Sequence, residues 1–337
     1  MSAPGQAATV AAGAAVDRIP TVDFAPFLGG DRAAQDAVVA ALGDCFERYG
    51  FVSLVGHGLP PGVVAEAFAA AEEFFARPEA EKRLVADKRN NRGFIPMFDS
   101  VLPGQKPSGH EAFSIGHLDR PDDPELRALP FHAETPWPDL PGFRERIEPC
   151  YRAMFALGEA VLRAAARHLG APEDFFAEMS RQTYSNMRVI HYPPQDAVAE
   201  TSEFGVSAHT DRGLITLLIQ DMNGGLSVQT PEGSWLPVVP DPEAVVINVG
   251  RLLRHWTNGR YAAALHRVVN TSGRERYSIP LFVHPSFHTA IDPRSLVREE
   301  PAAPEFAPIV AGETVYAGFQ QDRPSWKAAL AEPVAAA

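Results

Sequence analysis

Cysteine is scarce: Cys45 and Cys150 are the only two in 337 residues. Two thiols build neither a disulfide framework nor a thiolate zinc site. Both fall in helical patterns, which fits a reducing cytoplasm. Long apolar runs are missing too, since no uncharged stretch reaches the ~20 residues that span a bilayer. Positive charge is in deficit, with 30 Lys and Arg against 42 Asp and Glu and a net charge of -12. That balance argues against nucleic acid or an anionic membrane as a main partner. Residues 1–17 lack the basic start and apolar centre of a secretion signal; their Ala/Gly-rich composition reads as a disordered tail. The chain as a whole, 45% hydrophobic and 21% charged, is ordinary for a globular protein and leaves the oligomeric state open.

Ile19-Pro20-Thr21-Val22-Asp23-Phe24 reads as a short strand, and the apolar stripe Val38, Leu42, Cys45, Phe46, Tyr49 as a helix closed by Gly50. Phe51–Val55 is strand-like, and Pro60-Pro61 opens a second helix carrying Val64, Ala67, Phe68, Ala71 and Phe75. A Pro- and Gly-rich stretch from 92 to 142 reads mostly as loop with one strand at 111–117, completing an N-terminal region over 18–142. The longest helical pattern covers 143–169, and with the shorter helix after Pro172 it forms a helical support over 143–180. From 181 to 290 short apolar or alternating runs are separated by turns such as Asn223-Gly224-Gly225 and Pro231-Glu232-Gly233, and a C-terminal extension follows over 291–337. Many short strands between turns point to an antiparallel jelly roll or barrel rather than βαβ repeats. The expected class is α+β, with flanking N-terminal helices packed outside a jelly-roll or barrel core of strands.

The chemistry concentrates in His209-Thr210-Asp211 and in His266. Residues i and i+2 of a strand share a face, so His209 and Asp211 can reach one metal together. His266, from a separate strand, completes the two-imidazole, one-carboxylate facial triad of non-haem iron sites. A His-x-Asp pair alone is more often structural than metal-binding. Ten residues past His266, Arg276 and Ser278 share a strand face, where a guanidinium and a hydroxyl form a carboxylate clamp. The plainer alternative is a surface Arg276 paired with Glu275.

With these residues in view, the chain resembles the isopenicillin N synthase-like family of 2-oxoglutarate- and Fe(II)-dependent oxygenases. The likeness runs through Ile19–Phe24, Gly50-Phe51 to Gly56-His57-Gly58, Met187-Arg188 to Tyr192-Pro193-Pro194, and His209-Thr210-Asp211. It continues through Gly224-Gly225-Leu226, Trp256–Tyr261, His266-Arg267-Val268 and Arg276-Tyr277-Ser278. The resemblance implies a double-stranded β-helix core, a small-molecule substrate, and iron ligands His209, Asp211 and His266. It also implies 2-oxoglutarate held by Arg276, Ser278 and the Tyr192 hydroxyl, O₂ as oxidant, and succinate and CO₂ as co-products. Hydroxylation of a metabolite, of the kind found in specialised metabolism, is the default outcome, with desaturation or ring closure as variants. The chain departs from the family pattern at Ile190, Arg251 and Ala263, none of them an expected ligand.

Two other functions fit the same motifs. One is an iron oxidase of the family that does without 2-oxoglutarate, because Arg-x-Ser also serves substrates or small anions there. The other is a non-catalytic jelly-roll receptor for a small acid. On the substrate side, strand alternation from Tyr192 places Ile190, Arg188, Asn186 and Tyr184 on one face, and Phe282 in phase with Arg276. The expected pocket wall is Tyr184, Phe282 and Phe94, with Arg188 as a second cation. An equal alternative makes Arg188 a support for the 2-oxoglutarate site. His57 and His255 read as structural, the first in a turn and the second in packing, and Arg267 should point away from the metal.

Overall fold

The computed structural model describes residues 18–87, 90–99, 104, 106–119, 121–194, 205–296 and 304–322. The expected tail at 1–17 and the last part of the C-terminal extension lie outside them. No helix of the described residues is long and apolar enough to cross a membrane.

Two sheets face each other as the walls of a double-stranded β-helix. The larger has nine strands in the order Thr21–Asp23, Phe51–Val55, Val245–Val249, Ile215–Gln220, Arg276–Val283, Asn186–Tyr192, Glu111–Ile115, Arg92–Ile95 and Ala86–Asp87. The smaller runs Trp235–Pro237, Leu226–Gln229, His266–Val268, Val206–His209. All pairings are antiparallel except the first in the larger sheet. The Pro- and Gly-rich stretch contributes two strands to the larger sheet: Glu111–Ile115, where the sequence predicts one, and Arg92–Ile95, where it predicts loop. Arg92–Ile95 is buried on both faces, and Gly93 takes a φ of +67° where a Cβ would meet the Val85 carbonyl. A strand with no polar face shows no alternation, which is why its sequence looks like loop.

Helices cover the outer face of the larger sheet. Phe143–His168 buries Ile147, Cys150, Tyr151, Met154, Leu157 and Val161, a stripe at three- and four-residue spacing. It packs tightly on the sheet at Gly158, where a Cβ would sit 3.1 Å from Val283 and 3.2 Å from Leu217. A side chain there would push on the strand that carries Arg276. Arg32–Arg48 and Pro61–Phe75 pack on this helix and close the outer core. A second, smaller core lies between the sheets, built from Phe51, Ile95, Ile190, Tyr192, Leu226, Val228 and Val268. Apolar contact between the two walls holds the cavity's shape. Both cysteines are buried and unbridged, and burial raises each thiol to about 12.

Candidate active site

His209 ends one strand of the smaller sheet and His266 begins the next, and the two are direct cross-strand partners. Their rings lie 4.2 Å apart between centroids. Asp211 follows two residues after the strand end, where the chain crosses towards the larger sheet. Its position therefore comes from partners across the cavity as well as from strand phase. Asp211 Oδ2 accepts from Thr216 Oγ1 at 2.6 Å and from Asn248 Nδ2 at 2.8 Å. That leaves Oδ1, which lies 3.5 Å from His209 Nε2 and 3.7 Å from His266 Nε2. One ligand atom from each of the three falls within 4.8 Å of the others.

The outer atoms of the triad are spoken for in the sense a metal requires. With Nδ1–H assigned, His209 donates to the Ser207 carbonyl at 2.8 Å and His266 to the Ala264 carbonyl at 3.3 Å. Each Nε2 then carries a lone pair pointing at the common centre. Burial and the neighbouring His209 push His266 down to about 4, so its imidazole is neutral at physiological pH and able to coordinate a metal. Burial alone would raise Asp211, but the His266 and His209 imidazoles and the Thr216 hydroxyl hold it well below the usual carboxylate range. Two imidazoles and one carboxylate on one side of an open cavity suit Fe(II) with free positions for exchangeable ligands. Phe51 meets His266 edge-on at 5.4 Å and fixes its ring.

The second part of the site lies on the Arg276–Val283 strand. Its even positions, Arg276, Ser278, Pro280 and Phe282, line the same cavity as the triad, and so does His284 just beyond. Arg276 is fully buried, with its guanidinium 4.6 Å over the Tyr192 ring. Nε donates to the Gly224 carbonyl and Nη2 to Gln220 Oε1 at 3.2 Å. Gly224 and Gly225 reach φ of +72° and +94°, a turn that brings this carbonyl inward. Nη1 has no hydrogen-bond partner. A buried guanidinium nitrogen without an acceptor is costly, so the arrangement is complete only with an anionic ligand. Glu275, the plainer partner considered for Arg276, instead accepts from His191 on the outer face.

Of the expected substrate residues, Arg188 and Phe282 line the cavity, with the guanidinium 5.7 Å from the ring. Tyr192, Ile190 and Asn186 share that face as the alternation requires. Tyr184 does not reach the cavity. The strand begins at Asn186, and Thr183 pairs only through an isolated bridge to Ser286, so the alternation stops short of Tyr184. Its ring stacks behind His284 at 4.5 Å. Phe94 also lies elsewhere: it packs in the outer core against Phe74 at 6.2 Å, on the helix side of its strand. His57 accepts from the Leu59 amide in its turn, His255 stacks on Phe306 and bonds the Ala307 carbonyl, and Arg267 lies over Trp235.

Sequence reasoning missed Thr216 and Asn248, which orient Asp211, and Gln220, which orients Arg276. Asn248 carried a signal, as the lone polar residue in Val245-Val246-Ile247-Asn248-Val249. It also missed the helix Ala311–Asp322, whose Phe319 lines the cavity. Arg212, next to Asp211, lies 4.9 Å from that ring and donates to the Gly318 carbonyl at 3.2 Å, tying the helix to the metal-side loop.

Residues 179–285 match the model of the 2OG-Fe(II) oxygenase superfamily, and residues 19–140 match that of the N-terminal region of the non-haem dioxygenase in morphine synthesis. A 2-oxoglutarate-Fe(II) type oxidoreductase of Emericella nidulans is 35% identical over 315 residues, covering 90% of this chain and 89% of the relative. A proline hydroxylase of Petromyces alliaceus is 35% identical over 80% of this chain and 88% of its own length. Among solved structures, a full-length Neurospora crassa protein in complex with alpha-KG and thymine superposes with a TM-score of 0.77 at 28% identity, covering 88% of this chain and 94% of that one. The triad, the buried guanidinium and the two-sheet cavity thus occur in a chain whose likeness to these proteins runs nearly end to end, and the protein belongs to the 2OG-Fe(II) oxygenase superfamily.

Proposed function

We propose that His209, Asp211 and His266 hold the iron, that Arg276, Ser278 and Tyr192 hold 2-oxoglutarate, and that the reaction is hydroxylation of a small polar metabolite. The enzyme is a dioxygenase using Fe(II), 2-oxoglutarate and O₂. Bound together, these supply the oxidising power, with one oxygen atom going to the substrate and one to succinate as CO₂ is released. The observation that carries the residue assignment is the partnerless Nη1 of a fully buried Arg276, in the same cavity as three convergent ligand atoms.

The protein's own residues divide the work. Thr216 and Asn248 aim one oxygen of Asp211 at the metal, and Gly224 and Gln220 aim the guanidinium at the distal carboxylate of 2-oxoglutarate. Arg188 and Phe282 lie across the cavity from the triad, where a substrate is held beside the metal without binding it. Phe319 and Arg212 line the same space, the guanidinium against the ring. Relatives named for proline hydroxylation and solved with thymine bound support a small polar substrate. A cytoplasmic location accords with two unbridged thiols. The test is anaerobic reconstitution with Fe(II), then addition of 2-oxoglutarate and O₂ and measurement of succinate across a small-molecule panel. Succinate should depend on all three; substrate turnover without 2-oxoglutarate would overturn the Arg276 assignment.

A further inference from the structure

The geometry points to Asn186 and His284 as a substrate-reading pair that selects a ring carrying a hydrogen-bond donor next to an acceptor, as in a lactam. The inference rests on the cavity being the oxygenase active site. Both side chains line that cavity, and they are only 8% and 4% exposed. Neither the Asn186 amide nor the His284 imidazole hydrogen-bonds to any other described residue, and His284 Nδ1 is fully enclosed without a partner. Buried amide and imidazole groups left unpaired cost free energy, so their retention is explained when a ligand supplies the missing partners.

Their placement is built. Phe282 pairs in register with Asn186, so His284, two residues on, is the diagonal neighbour of Asn186 on the same face. Tyr184 stacks on the imidazole at 4.5 Å with the planes 25° apart, and Gly213 stands against its edge, where a Cβ would lie 3.2 Å from Cε1. The ring has a defined plane and little freedom. Burial pushes His284 down to about 3, so it meets the substrate as a neutral group with one donor and one acceptor nitrogen. The amide offers the same two capacities. Two neutral groups of this kind match a neutral donor–acceptor edge, and Phe282 and Phe319 provide apolar surface for a flat body.

The experiment uses the full chain loaded anaerobically with Mn(II) and 2-oxoglutarate. Binding of 2-pyridone and of 1-methyl-2-pyridone, which keeps the carbonyl and loses the N–H, is measured by calorimetry. The expected result is about tenfold weaker binding of the methylated probe, the size of one neutral hydrogen bond. His284→Phe keeps the stack on Tyr184 and should erase the discrimination while leaving 2-oxoglutarate affinity unchanged; Asn186→Leu should do the same. Equal binding of the two probes to the unaltered protein, no binding of either, or discrimination that survives both substitutions would each overturn the pair's role. The unaltered protein decides the first two outcomes whether or not the variants fold. A chain that fails to bind 2-oxoglutarate at all would instead indict the active-site assignment.

Discussion

Replacing Arg276 by lysine keeps the charge and removes the fork. In the native site three nitrogens have three tasks: Nε serves the Gly224 carbonyl, Nη2 serves Gln220, and Nη1 is left for the ligand. A single ammonium cannot serve all three from one position. If it follows the ligand, the buried Gly224 carbonyl and the Gln220 amide lose their donor, at about 1–3 kcal/mol for each unsatisfied group. The expected loss of 2-oxoglutarate affinity for Arg276→Lys is about 1–3 kcal/mol, roughly five- to 150-fold. Arg276→Ala strands the carboxylate itself, which costs about 2–5 kcal/mol, or at least roughly thirtyfold. The assay is succinate formation against 2-oxoglutarate concentration, with iron binding measured in parallel. Iron affinity should hold, since Arg276 touches none of the triad. An unchanged 2-oxoglutarate dependence in either variant, or equal losses in both, would refute the reasoning.

Asp211→Ala should abolish iron binding and turnover while thermal unfolding stays cooperative; full activity without an added ligand would contradict the triad. Asn248→Leu frees Asp211 Oδ2 from one of its two donors and should weaken iron binding by about ten- to a hundredfold, read by metal titration. Phe282→Ala should raise the substrate's KM and increase 2-oxoglutarate consumption per product formed, because a loosely held substrate misses the near-attack position; unchanged coupling would move the pocket wall elsewhere. His284 gives a pH test. Its pKa is about 3 in the native state against an ordinary 6.5, so between those values the unfolded chain binds a proton that the native chain refuses. Stability from this group therefore falls as pH drops below 6.5, by about 1–2 kcal/mol between pH 7 and 5. His191, raised by its bonds to Glu111 and Glu275 against the opposing effect of burial, works in the other direction, so the comparison is between the protein and His284→Phe. The variant's urea-unfolding curve should lack that share of the pH slope.

The convergence of His209, Asp211 and His266 was legible because those residue types are rare at such spacing, and the shared face of Arg276, Ser278 and Phe282 because they obey a period of two along one regular strand. Tyr184 was misplaced where that regularity ends: the strand starts at Asn186, and extrapolating its phase by two residues crosses an irregular segment. Phe94 failed for a different reason. Its strand is buried on both faces, so a phenylalanine there can serve either core, and contact with Phe74 rather than any pattern decides which. Phe319 left no trace, because an aromatic on a helix well beyond the last motif is indistinguishable from ordinary packing. Thr216 and Gln220 sit at the two ends of an apolar strand, where polar residues usually mean nothing more than the turn beside them.

Arg276, Ser278, Pro280 and Phe282 depend on one strand's parity, and that has a consequence for how the protein tolerates change in length. An insertion of one residue within Arg276–Val283 would turn every position beyond it to the opposite face, exchanging Phe282 for a neighbour that belongs to the outer core. The same insertion among Asn270–Glu275, where Ser272 and Gly273 form an exposed turn, leaves the parity of the whole strand intact. Natural variation in length among related chains should therefore collect in that turn and stop abruptly at Arg276, and a deletion scan across 270–283 should show activity falling as a step rather than a slope.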